Sequence, residues 1–279
     1  MPDGADAGAG AATVGAPGTA VPGEAAPAPR VSCRGLSKRF RHFEERVTSL
    51  RELIARRALG RPIPEGRPVF HLEDLSVDVA AGEAITIVGG NGSGKSTALR
   101  LIAGVYEPTT GTVTIRGKLT AMIELGVGFH PELSGRENIR LYAAVMGMAP
   151  RTLATRYDDI VEFSGVAAYI EEPLKYYSTG MQARLAFSVA IATEPDVLLV
   201  DEVLAVGDFE FRERCIDFFE GFLARGGTLV AVSHDLELVR TLCSRAVWLD
   251  RGRVRMDSDV ESVARAYVDA VGLDRRVLE

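Results

Sequence analysis

The stretch that most constrains this chain is Gly89-Gly90-Asn91-Gly92-Ser93-Gly94-Lys95-Ser96-Thr97. It fits the GxxxxGK[S/T] phosphate-binding pattern, and its flanks fit as well. Ala84-Ile85-Thr86-Ile87-Val88 precedes it, a short apolar, β-branched run that reads as a buried strand. Lys95 to Val105 follows, with Leu99, Ile102 and Ala103 at helical spacing. Glycines let a backbone fold around an anion and turn several N–H groups inward, and a helix N-terminus adds partial positive charge. Gly89, Asn91, Gly92, Ser93 and Gly94 would form the cradle, closed by Thr97 in the first helical turn. Lys95 would reach the β- and γ-phosphates, and the Ser96 hydroxyl would ligate Mg²⁺. A ligand-free glycine turn is the competing reading, and the Lys-Ser pair with both flanks in place argues against it.

The remaining composition excludes more than it selects. Of the 279 residues, 47% are hydrophobic and 25% charged, enough to fill the core of one large α/β domain. The net charge of −6 argues against a general nucleic-acid surface. Cys33, Cys215 and Cys243 are far apart without metal-ligand spacing and read as reduced structural thiols. No apolar run approaches the ~18 residues of a membrane span, and Met1-Pro2-Asp3 opens no secretory signal. A membrane role would therefore act through a partner or a surface contact. Residues 1–29 are rich in Ala, Gly and Pro without periodicity, and a disordered tail is expected there.

Arg30 to Phe40 reads as a strand and turn. Ser49-Leu50-Arg51-Glu52 then has capping-box spacing, and Leu50, Leu53, Ile54 and Ala58 recur at helical spacing among Arg51, Arg56 and Arg57. A short basic amphipathic helix over 49–59, ended by Gly60 and Pro62, would lie either on a membrane surface or partner, or on its own domain. Pro68 to Val79 and Gly111 to Gly117 read as further strands with turns. From Glu137 to about Val166 the pattern is helical, and Tyr177 to Thr193 gives a turn and another helix. Val260 to Val271 forms a last helix with Gly272 as its stop.

Two more apolar strands end in chemistry-bearing residues. Asp196 to Glu202 ends in Asp201-Glu202, and Gly227 to His234 ends in a histidine. Strands alternating with helices imply a doubly wound core with ligands at the strands' carboxyl ends, where Lys95, Asp201, Glu202 and His234 fall. Asp201 would hold Mg²⁺, Glu202 would orient or deprotonate the attacking water, and His234 would donate a hydrogen bond to the γ-phosphate. An Asp-Glu pair alone is usually a solvated strand end, and a lone His is usually a cap or core residue. The phosphate loop and the apolar run before Asp201 favour the functional reading.

Tyr177-Ser178-Thr179-Gly180-Met181-Gln182 stands where the nucleotide-binding subunits of ABC transporters carry their LSGGQ signature, and Ser178 precedes Asp201 at that family's spacing. The chain resembles that family over about Val31 to Leu273. It departs from the signature at Tyr177 for Leu, Thr179 for the first Gly and Met181 for Gln. The resemblance implies that Ser178 and Gly180, within Ser178–Met181, contact the γ-phosphate of a second copy's ATP. Arg184 fits the pattern, Asp208 matches the last residue of the dimer-contact loop, and His234 matches the switch histidine. Phe40 is the aromatic placed to stack on adenine. The lid glutamine is missing, and Glu124 is the nearest polar residue, a carboxylate able to ligate Mg²⁺.

The fold class expected is α/β: a P-loop NTPase core of ABC type with a mainly helical subdomain at about 130–180 and the extra amphipathic helix. The ATPase domain would span 30–279, with no C-terminal carbohydrate-binding domain. The YSTGM signature, the Glu124–Leu133 run and the basic helix look like one subfamily, the exporters of O-antigen, teichoic acid and related lipid-linked polysaccharides, with a resemblance to galactan exporters. In that subfamily the helix at 49–59 sits near the membrane entrance. The resemblance implies an ATP-sandwich dimer of two copies on the cytoplasmic membrane face, paired with a separate polytopic permease of ABC-2 type. A soluble ABC ATPase of translation or DNA repair is the alternative, against which stand the single site and the lack of heptads. A non-hydrolysing regulatory module would have lost Lys95, Asp201, Glu202 or His234, and all four are present.

Overall fold

The computed structural model describes residues 28–42, 51, 54, 58–59, 67–123, 125–201, 209–232 and 236–272. The tail expected over 1–29 and the helix expected over 49–59 lie almost wholly outside them, as do Glu124, Glu202, Asp208 and His234.

Two sheets and a helical layer make up the described chain. β1 (Val31–His42), β2 (Arg67–Val79) and β4 (Thr110–Ile115) form an antiparallel sheet in the order β2-β1-β4. The second sheet has the order β5-β6-β7-β3-β8-β9, from Leu119–Met122, Val197–Asp201, Thr228–Val232, Ala84–Val88, Arg245–Asp250 and Arg253–Asp259. Its first five strands are parallel, and β9 closes the edge antiparallel to β8. The separate antiparallel sheet, β5 and the β8–β9 hairpin are additions to the core read from the strands alone.

The central strands are continuous apolar runs because they are covered on both faces. Alternate residues go to opposite sides. Val197, Leu199, Val230, Val232, Val247 and Leu249 join a core with the antiparallel sheet and α1 (Lys95–Ile102). Leu198, Val200, Leu229, Ala231, Ala246 and Trp248 face a core shared with the helices behind the sheet.

The helical layer begins with α2 (Gly135–Val145) and α3 (Pro150–Ser164), split by Gly147 at φ 72° and restarted by Pro150 at the first helical position. It ends with α4 (Thr179–Ile191), which runs past the boundary expected near 180. α4 is apolar nearly all round. Phe187 and Ala190 pack towards Met122 of β5, while Leu185, Ala186 and Val189 pack with Ile139, Tyr142 and Ile160. It is therefore the element that ties helical layer to sheet. α5 (Phe209–Ala224), α6 (Leu236–Leu242) and α7 (Val260–Val271) complete the described chain. Gly272 ends α7 in the left-handed region at φ 71°, as expected of that stop.

Candidate functional site

β3 delivers the chain to the carboxyl edge of the parallel sheet, and α1 carries it away. Between them Gly89, Gly92 and Gly94 have φ of 151°, 76° and 106°. At Gly89 and Gly94 the space is also closed. A Cβ at Gly89 would collide with the Leu249 carbonyl oxygen, and one at Gly94 with that of His71. Only glycine meets both demands. The loop is further fixed by hydrogen bonds within it and from outside. Ser93 N donates to Gly90 O at 3.1 Å, Gly252 N donates to Ser93 O at 2.9 Å, and Glu73 N donates to Gly252 O at 2.7 Å. The phosphate loop is thus sewn to the β8–β9 turn, and that turn to β2.

The cradle has the electrostatics of an anion site. Gly94 caps α1 without any side-chain hydrogen bond, and the first turn holds no acidic residue. The leading N–H groups keep their positive potential. The Lys95 ammonium is buried and donates to Gly89 O at 2.7 Å and Gly90 O at 3.1 Å. The Ser93 hydroxyl is buried with no hydrogen-bond partner, a cost that an oxyanion ligand would remove. Asn91 and Gly92 are exposed at the tip, while Ser96 and Thr97 are half-buried in the first turn of α1.

Asp201 ends β6 on the same edge. It pairs in register with Val232 of β7, which pairs with Ile87 of β3. Asp201 therefore stands level with the start of the loop, two strand spacings or about 10 Å away. Glu202 follows it, and His234 follows β7, both beyond the described residues. Three or more His, Cys, Asp or Glu side chains able to hold a metal do not cluster among the described residues. Mg²⁺ needs no such cluster, since it takes one or two protein oxygens and completes its shell with phosphates and water. Ser96 and Asp201 are a donor set of that kind.

Phe40 lies beside the loop. Its ring meets His71 edge-on at 4.8 Å and Tyr106 at 5.5 Å, and the His71 carbonyl is the group that presses on Gly94. Lys38 Nζ sits 5.2 Å from the Phe40 centroid. His71 and Tyr106 are missed by sequence reasoning. Nothing in their local pattern marks them, because β1–β2 pairing and the loop after α1 bring them in.

The signature stands at the start of α4. Ser178 is its N-cap, and its hydroxyl accepts from Met181 N at 3.1 Å. Ser178 and Thr179 are exposed, and Gly180 and Met181 are half-buried. Tyr177, in the place of leucine, is buried and donates to Tyr169 O at 2.7 Å, and burial pushes its hydroxyl up to about 12. It fits because Gly135 leaves room, since a Cβ there would collide with the Tyr177 hydroxyl. Asn138, fully buried, holds the preceding turn by donating to His130 O, Leu133 O and Ser134 O at 2.9–3.1 Å. The three cysteines are buried and free, and burial pushes each thiol up to about 12, as inert structural thiols require.

Residues 72–205 match the ABC transporter family. The O-antigen export system ATP-binding protein RfbB of Klebsiella pneumoniae is 40% identical over 243 residues, covering 87% of this chain and 99% of the relative. The chain belongs to the ABC transporter family. ATP hydrolysis is that family's activity. The teichoic acids export ATP-binding protein TagH of Listeria monocytogenes is 36% identical over 242 residues, covering 87% of this cassette and 70% of the relative. Among solved structures, a dimeric ATP-binding cassette bound to ADP and Pi superposes with a TM-score of 0.65 at 21% identity, covering 82% of this chain and 98% of that one. The cassette fold inferred from the loop and signature is therefore the fold this ABC protein has.

Proposed function

We propose that this cassette is the ATP-hydrolysing subunit of an exporter that moves a lipid-linked polysaccharide of O-antigen, teichoic acid or galactan type across the cytoplasmic membrane through a separate permease. The observation that carries the chemistry is the placement of the glycine cradle, buried Lys95 and Asp201 along one sheet edge. The relatives' names, with 99% of the RfbB relative and 70% of the TagH relative covered, support the export role over a soluble ATPase. No helix among the described residues is long and apolar enough to cross a membrane, which suits a subunit at the cytoplasmic face that depends on a partner.

Gly89–Thr97 would bind the phosphates, with Lys95 on the β- and γ-oxygens and Phe40 against the adenine. Ser96 and Asp201, with Glu124 as a further candidate, would hold Mg²⁺, which neutralises charge on the transferring phosphoryl group. Ser178 to Met181 of a second copy would close the site, offering the N-terminal end of α4 to the γ-phosphate. Asp208 would line that contact, Glu202 would position water, and His234 would sense the γ-phosphate. Tighter binding of ATP by the closed dimer would drive closure, and hydrolysis would release it.

Glu202→Gln should bind ATP, lose turnover by about 10²–10⁴-fold and accumulate as a dimer on size-exclusion chromatography. Wild-type turnover in that variant would remove Glu202 from the mechanism. ATPase activity with and without the permease, and co-purification with it, separates the exporter from a soluble ATPase. Activity that ignores the permease and candidate lipid-linked glycans would favour the soluble reading.

A further inference from the structure

A cavity of about 580 Å³ lies at the opposite edge of the parallel sheet from the phosphate loop. Asp196 leads into β6 there, and Gly226-Gly227 lead into β7. Its volume falls within the range of ordinary small-molecule sites, about 300–1,000 Å³. One wall is α3, with Ile160 and Phe163. The other is α5, with Phe218 and Phe222, and Ile191 at the end of α4 forms part of the floor. Helical layer and sheet layer thus both contribute, and Phe163 meets Phe218 edge-on at 6.4 Å.

Its charges are unevenly satisfied. Arg156 of α3 is paired with both Asp159 and Glu194. Glu194 is held at φ 52°, an uncommon conformation for a residue with a side chain. Arg30 Nη1 lies 3.4 Å from Asp196, yet its Nε is buried with no hydrogen-bond partner. The charges balance in number, but Arg156 occupies two of the three carboxylates. Arg225, at the rim, carries no ion pair among the described residues. A guanidinium beside an apolar, aromatic-lined hollow fits a guest with an apolar body and an anionic end.

We propose that this cavity binds a small amphiphilic anion, a soluble molecule whose apolar body fills the space among Phe163, Ile191, Phe218 and Phe222 and whose single carboxylate or sulfonate pairs with Arg225. The site is separate from the nucleotide cradle and does not depend on the export reading. Because its walls belong to both layers, an occupant would bridge them.

Anilinonaphthalene sulfonate, which has this shape, is the probe. The full-length protein is titrated by fluorescence with saturating ATP present. The expected result is one saturable site, unaffected by ATP, displaced by decanoate and not by inorganic sulfate. Arg225→Glu should weaken the probe about tenfold, while Arg225→Lys retains most of the affinity. Arg225 is exposed, so both variants should keep the wild-type melting temperature and ATPase rate, which excludes misfolding as the cause. Equal affinity in wild type and Arg225→Glu, displacement by ATP, or displacement by sulfate alone would each overturn the proposal.

Discussion

The two halves of the proposed nucleotide site are built on opposite terms. The phosphate loop is a closed object. Gly89 and Gly94 have positive φ and no room for a Cβ, its lysine is buried, and its backbone is bonded to the β8–β9 turn, which is itself bonded to β2. The signature is an open one. Ser178 and Thr179 are exposed, and the motif's local order comes from the Ser178 cap and from the Gln182 amide, which donates to Leu174 O and Tyr177 O. The first half has its shape before any ligand arrives. The second is presented outward on a helix whose fixed part lies behind it, in Tyr177 and the apolar faces of α4. The same substitution should therefore do different things in the two places.

Gly→Ala is the largest test. At Gly89 it adds a Cβ against the Leu249 carbonyl at φ 151° and should cost roughly 2–4 kcal/mol in denaturant unfolding. ATP binding should be lost with it. At Gly180 the new Cβ meets only Ser178 Oγ at 3.9 Å, inside a helix that alanine favours. That change should raise stability by up to about 1 kcal/mol while ATP turnover falls, because under the proposed mechanism its damage is to the dimer. If Gly180→Ala unfolds the protein as Gly89→Ala does, the contrast between a built half and a presented half fails.

A middle-sized effect tests what lies behind the signature. Gly135→Ala should clash with the Tyr177 hydroxyl and cost about 1–3 kcal/mol. Tyr177→Phe alone should cost about 1 kcal/mol through the lost bond to Tyr169 O. Together the two should cost less than their sum, since phenylalanine removes the atom in collision. Additive melting shifts would show that Gly135 and Tyr177 are not matched.

The same division explains what was legible in the sequence. The loop was readable because its requirements are local: β-branched strand, positive-φ glycines, lysine and helix. Asp201 was readable because an apolar run ended on it. The partners that shape the loop were not. Leu249, His71 and Gly252 press on or bond to it across 71–252, and their positions follow from strand order. The hairpin of β8 and β9 has a weak sequence signal because β9, Arg253–Asp259, alternates mostly polar residues along a sheet edge. Capping-box spacing follows the same logic. One spacing, Ser49 to Glu52, lies outside the described residues. The other, Ser134 to Glu137, forms a complete box at the start of α2. Spacing states what a helix start can do, and only packing states where one is needed.

The smallest effect concerns what each helix does with its N-terminal charge. α7 is capped by Asp259, whose carboxylate accepts from Ser262 N at 2.9 Å and is held below the usual carboxylate range by that backbone N–H. Its folded pKa is depressed. Its contribution is therefore complete above the unfolded value near 4 and is lost as pH falls through the folded value. α4 is capped instead by the neutral Ser178, so its cap does not titrate and its N-terminal potential stays available to an incoming anion. Asp259→Asn should leave stability near wild type at pH 7, because asparagine caps as well as aspartate, and should flatten the fall in melting temperature below about pH 5. Ser178→Ala should cost about 1 kcal/mol equally at pH 5 and pH 8. A pH-dependent loss at Ser178 would mean that a charged neighbour already uses the end of α4, and the signature would then be less open than its exposure implies.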